Sequence, residues 1–148
     1  MPSFFFKNAN VVFDGHTELQ PALNILVKGD RIEAVTRDPI ESPDARPIDV
    51  AGKTVMPGLI DAHAHITGLS LSPKNLAYPV ADLVVAAADY LRNSLLSGFT
   101  TIREAGGADY SIAHLLKEGT IIGPRLFYSG RALTQTGVEG PIFAPRSS

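Results

Sequence analysis

Cysteine is absent from this 148-residue chain, which excludes disulfides, thiolate metal sites and cysteine nucleophiles together. A chain without thiols suits any redox setting, so that absence leaves the compartment open. No apolar run approaches the roughly 18 residues of a membrane-spanning helix. Phe4-Phe5-Phe6 is too short for the apolar part of a secretory signal, and Lys7-Asn8 interrupts it at once. The chain opens at Met1, and the expected location is cytoplasmic. An excess of charge of one sign is lacking too: a formal net charge of -2 gives no basis for binding nucleic acid or an anionic membrane. What is present, 45% hydrophobic and 19% charged residues, is the balance of an ordinary soluble globular protein.

Against that background one stretch carries chemistry: Val55 to Ile66, reading Val-Met-Pro-Gly-Leu-Ile-Asp-Ala-His-Ala-His-Ile. Pro57-Gly58 signals a turn, and a short strand-forming run follows. Side chains alternate along a strand, so Leu59, Asp61, His63 and His65 are expected on one face. Ile60, Ala62, Ala64 and Ile66 then share the other, wholly apolar, face. The spacing puts the two histidine Cα atoms about 7 Å apart, close enough for both rings to converge on one ion. Neutral imidazole nitrogen is a good ligand for Zn²⁺ and similar cations, and the Asp61 carboxylate one layer below could orient a ring or the ion. Two histidines at this spacing can also be a surface or satisfied core pair that binds nothing. The Pro-Gly turn, the apolar entry, the preceding Asp and the small Ala between the rings favour ligation.

The run from Val55 to His65 resembles the signature of the metal-dependent amidohydrolase superfamily, and the likeness extends over most of the chain. The resemblance implies a distorted (β/α)₈ barrel with the His-X-His pair ending the first barrel strand. It also implies one or two divalent metals, Zn²⁺ first among them, activating a water for attack on an amide, ester or related bond. A complete (β/α)₈ barrel takes typically about 250 residues. The expectation is therefore an α/β chain in two parts: residues 1–57 as part of a small β-sandwich, and residues 58–148 as the opening units of a TIM-like barrel. That barrel is incomplete, so the chain reads as a fragment, a truncated product or one component of a split assembly.

Taken in order, strands are expected at Ser3–Lys7, Asn10–Phe13, Leu23–Lys28 and Arg31–Thr36. Gly29-Asp30 is a two-residue hairpin signal between the last two. Ile25 and Val27, then Ile32 and Ala34, alternate with polar neighbours, as in a small antiparallel sheet with one buried face. Asp38 to Arg46 reads as a loop, followed by short strands at Ile48–Val50 and Lys53–Val55. His16 sits in a turn cluster and reads as solvated surface. In the family this segment belongs to a β-sandwich completed by strands from the far C-terminus.

From Leu59 the rhythm becomes strand, loop, helix, strand. The polar connection Thr67 to Tyr78 would leave the rim where barrel active sites lie, and serves either as a substrate contact or as a plain connector. Pro79 suits the first helical position, Asp82 the first turn, and Gly98 the end. Between them Val80, Leu83, Val84, Ala87, Leu91 and Leu95 recur at helical spacing, with Arg92 and Asn93 on the wet side. Phe99 to Glu104 is the second barrel strand, reached by a parallel crossover. Glu104-Ala105-Gly106-Gly107 closes it; Glu104 could support the site, but a partnership with Arg103 or the backbone is the favoured expectation. A second helix is expected from Asp109 to Glu118, carrying a structural or exposed His114, and a third strand at Arg125–Ser129. In the tail, Gly-Arg-Ala-Leu followed by Thr-X-Thr-Gly resembles a loop of peptidase-like relatives. Several relatives place a His where this chain has Glu139, so Arg131 and Glu139 are candidate substrate contacts only.

The resemblance is to the dipeptidase, carboxypeptidase and imidazolonepropionase-like branch. It implies hydrolysis of C–N bonds in small peptides or N-acyl compounds. The family's remaining ligands are a carboxylated lysine or glutamate, two more histidines and a catalytic aspartate from late strands, so catalytic residues are expected beyond Ser148. Three alternatives stand: the front part of a metallohydrolase, an inactive fragment or half of a split enzyme, or a module whose histidines bind nothing. The first two predict a homo-oligomer or a complex with a chain carrying the rest of the barrel, because open strand edges invite association.

Overall fold

The computed structural model describes residues 2–68 and 78–130. The chain divides into two compact units, Met1–Pro57 and Gly58–Ser148.

The first unit is a five-stranded sheet: β1 (Ser3–Val11), β2 (Gln20–Lys28), β3 (Arg31–Thr36), β4 (Arg46–Asp49) and β5 (Thr54–Val55). The strands run in the order β3-β2-β1-β4, with β5 also pairing β1. The β1–β2 and β2–β3 pairs are antiparallel as expected, but β4 and β5 run parallel to β1, so the sheet is mixed. The two strands expected before residue 14 are one strand, broken where Phe6 pairs Ile25 and Ala9 pairs Leu23. The extra residue there includes Asn8 at φ 60, and a compensating shift on β2 places Ala22 at φ 57. Each bulge twists its strand, and because the two lie on opposite strands the register recovers. Ala9, Val11, Leu23 and Ile25 form the core of this sheet. Ile32, expected inside, is 68% exposed. It lies on the edge strand, where Leu26 pairs Ala34 but Val27 pairs Ile32, and the extra Glu33 turns the alternation over.

The second unit alternates strand and helix: β6 (Leu59–Ala64), α1 (Val80–Leu96), β7 (Phe99–Glu104), α2 (Tyr110–Lys117) and β8 (Arg125–Phe127). Its three strands are all parallel in the order β6-β7-β8, as the crossover connections demand. Pro79 stands one place before α1 rather than in its first turn, since its ψ of 144° is extended. Asp82 occupies the first turn, where its charge favours the helix dipole, and Gly98 leaves the helix at φ 94. Asp109 caps α2 by accepting from the Ser111 amide at 2.9 Å.

Leu83, Ala87 and Leu91 recur every four residues on the buried stripe of α1. Ala87 and Leu91 meet Ala64, Ile66 and Ile102 from the strands and Ala108 and Ile112 beyond them. This core covers one face of the sheet. On the other face Ile60 and Phe127 are 68% and 51% exposed. At the entry to β6, a Cβ on Gly58 would collide with the Thr100 side chain, so the strand can approach β7 there only as glycine.

Leu91 is fully buried in that core. Leu91→Ala is expected to destabilise the second unit by about 2–5 kcal/mol, read as a lowered urea midpoint with an unchanged slope.

Candidate metal centre

The face on which His63 lies is set by an irregularity in β6. Asp61 pairs Ile102, yet Ala64 pairs Glu104, so three steps on β6 oppose two on β7. Paired residues of a parallel ladder share a face, and Ile102 and Glu104 share one by alternation. Asp61 and Ala64 therefore both lie on the core side, and Ala62 and His63 are both turned to the open side. This corrects the simple alternation read from the sequence. Asp61 is not on the histidine face, and the apolar residues split: Ala64 and Ile66 enter the core, while Ile60 and Ala62 face the open side. Asp61 has a structural task at the bulge, where its Oδ1 accepts from the His63 amide at 3.0 Å. The residue expected to orient a ring or an ion instead holds the backbone that carries the ring.

The two rings stand together, with centroids 5.1 Å apart and planes at 85°. His63 is exposed and lines a broad open hollow of about 740 Å³ with Ile60, Thr101, Arg103, Phe127 and Ser129. His65 is half-buried, and its Nδ1 lies 3.1 Å from the carbonyl oxygen of Gly106. A carbonyl only accepts, so this contact calls for a proton on Nδ1 and leaves the lone pair on Nε2. A ring held through one nitrogen to a carbonyl and turned to a partner through the other is the usual arrangement of a metal-ligating histidine. Among the described residues, no three or more His, Asp or Glu side chains come together as a cation site.

Glu104 is the feature that sequence reasoning underweighted. Its side chain is fully enclosed, and neither carboxylate oxygen has a hydrogen-bond partner. Arg103, one of its expected partners, faces the open hollow because adjacent strand residues point to opposite sides. Burial pushes the Glu104 carboxyl above the usual carboxylate range. The amides of Gly106, Ala108 and Ser129 and the nearby His65 pull it back without reaching hydrogen-bond geometry. The sequence signal was an acidic residue at the end of a strand, followed by a small residue and two glycines. His114 is exposed and stacks on Tyr110 at 5.5 Å, and His16 is exposed beside Phe13. Arg131 and Glu139, together with most of the connection after Thr67, lie outside the described residues.

An all-parallel strand–helix sheet with a histidine pair at the end of its first strand defines an α/β protein. Residues 54–147 match the amidohydrolase family, and this chain belongs to it. It is 35% identical over 94 residues to ochratoxinase of Aspergillus niger, covering 61% of this chain and 20% of that protein. It is 29% identical over 115 residues to enamidase of Eubacterium barkeri, covering 74% of this chain and 27% of the other. A solved amidohydrolase superposes with a TM-score of 0.85 at 41% identity, covering 91% of this chain and 33% of that one. A prolidase solved with N-methylphosphonate-L-proline gives 0.84 at 37% identity, with 91% and 33% covered. The chain thus spans about a third or less of the length of these relatives.

Asp61→Ala is expected to cost about 1 kcal/mol by stranding the His63 amide. Asp61→Asn should cost less, because its amide oxygen still accepts. Urea unfolding of the two variants checks the order.

Proposed function

We propose that His63 and His65 supply two ligands of a divalent-cation site, with Zn²⁺ the expected ion. The site would belong to a hydrolase of C–N bonds in small peptide or N-acyl substrates. The observation that carries this reading is the contact of His65 Nδ1 with the Gly106 carbonyl, beside a second imidazole 5.1 Å away at the edge of an open hollow. When bound, such a cation polarises a carbonyl and lets water act as a nucleophile near neutral pH. The protein's own part is positional. The Gly106 carbonyl holds the Nδ1 proton of His65, and Asp61 fixes the backbone of His63. Thr101, Arg103 and Ser129 offer donors to whatever fills the hollow, and Ile60 and Phe127 give it apolar walls.

The relatives support the reaction class: they include an L-hydantoinase of Paenarthrobacter aurescens and an N-substituted formamide deformylase of Arthrobacter pascens. Among the described residues the parallel sheet is covered on one face only, and all-parallel sheets are ordinarily covered on both. That supports the start of a (β/α)₈ barrel whose remaining strands, ligands and catalytic residues come from further sequence, a second copy or another chain.

Metal analysis of the purified protein tests the reading. Zn²⁺, Mn²⁺ or Co²⁺ is expected, and it should be lost in His63→Ala and His65→Ala. Absence of metal, or content unaltered by both substitutions, would favour a module whose histidines bind nothing. The 148-residue chain by itself should show negligible turnover of dipeptides and N-acyl amino acids, because two ligands are too few. Turnover that co-purifies with it and vanishes in His63→Asn would refute that expectation.

A further inference from the structure

Glu104 has no part in the reaction just described, yet it is the most tightly enclosed charged side chain among the described residues. A carboxylate with neither oxygen paired is costly to bury, so the fold must gain something from the position. Its surroundings show what. The amides of Gly106 and Ala108, just beyond β7, and of Ser129, just beyond β8, favour its charged form, though none makes a hydrogen bond to it. The same short loop turns its Gly106 carbonyl outward to His65 Nδ1 at 3.1 Å. Two neighbouring bonds hold its ends: Ala105 N–H donates to the Ala64 carbonyl at 2.9 Å, and Gly107 N–H donates to the Gly130 carbonyl at 2.8 Å. Gly106 and Gly107 take φ values of 155 and 130, which side chains rarely adopt. The glycine pair thus gives its Gly107 amide to Gly130 and its Gly106 carbonyl to His65, next to one enclosed carboxylate.

We propose that Glu104 is a positioning residue for the metal centre. Its enclosed carboxylate draws the Gly106, Ala108 and Ser129 amides inward and so aims the Gly106 carbonyl at Nδ1 of His65, fixing that ring's tautomer and direction. The role in ligation rests on the reading of His63 and His65 given above; the role in setting the tautomer does not. In a low-dielectric interior, an anion orients nearby amide dipoles strongly even beyond hydrogen-bond distance. A glutamine of the same size cannot replace it, because its NH₂ group would turn donors toward donors.

The test compares the wild type with Glu104→Gln and Glu104→Asp, first without metal. Long-range ¹H–¹⁵N correlation spectra of the His65 ring should show the Nδ1–H tautomer in the wild type. Glu104→Gln, folded by circular dichroism, should show a mixture with the Nε2–H form, and Glu104→Asp should restore part of the wild-type pattern. With metal added, Zn²⁺ affinity should fall about 10- to 100-fold in Glu104→Gln, the usual effect of losing a group behind a ligand. The Co²⁺ absorption spectrum should change shape. A merely space-filling role would leave tautomer and spectrum as they were, and that result overturns the proposal. If the wild type binds no metal, the proposed function fails, while the tautomer comparison still decides the role of Glu104. Should Glu104→Gln not fold, amide exchange in the wild type decides: slow exchange at Gly106, Ala108 and Ser129 supports the proposal, and fast exchange at all three overturns it.

Discussion

Between Asp61 and Ala64, β6 carries one residue more than β7 opposite, and the rest of the site follows from that insertion. Without it, Asp61 and His63 would share a face, and so would Ala62 and Ala64. With it, Ala64 and Ile66 reach the hydrophobic core and His63 turns to the open hollow. Asp61 makes the irregularity sustainable, because its carboxylate satisfies the His63 amide that the bulge takes out of the ladder. A short polar side chain hydrogen-bonding two residues ahead is a local interaction, available before any tertiary contact forms.

The core supplies rigidity and the rim supplies polarity. Ile102 and Glu104 lie on the same face of β7, two residues apart, the first packed on Leu91 and Ala87, the second under the Gly106-Gly107 loop. The strand thus changes from apolar packing to charge where it leaves the sheet. Active groups at the C-terminal ends of parallel strands are the general pattern of α/β folds, since the loops there are free to vary while the strands below are held.

Much of the second unit was legible in the sequence. The helical stripe of α1 with its outer Arg92 and Asn93, the Gly98 stop and the crossover order all follow from local periodicity and glycine chemistry. The adjacency of the two histidines followed from their spacing. The first unit was less legible: one strand was read as two, Ile32 was placed inside, and a mixed sheet was read as antiparallel. Bulges account for the first two differences, because one inserted residue inverts a period-two pattern without any marked change in composition.

The sequence by itself determined the elements and the chemistry available to them: an α/β chain, no thiols, two imidazoles at a spacing that brings their rings together. Those depend on side-chain identity and on interactions within a few residues. Only the tertiary structure decided the side on which Asp61 falls, the burial of Glu104 away from Arg103, and the choice of the Gly106 carbonyl as the partner of His65. Each depends on register between separate strands or on a backbone group that every residue carries, and neither leaves a mark in residue type.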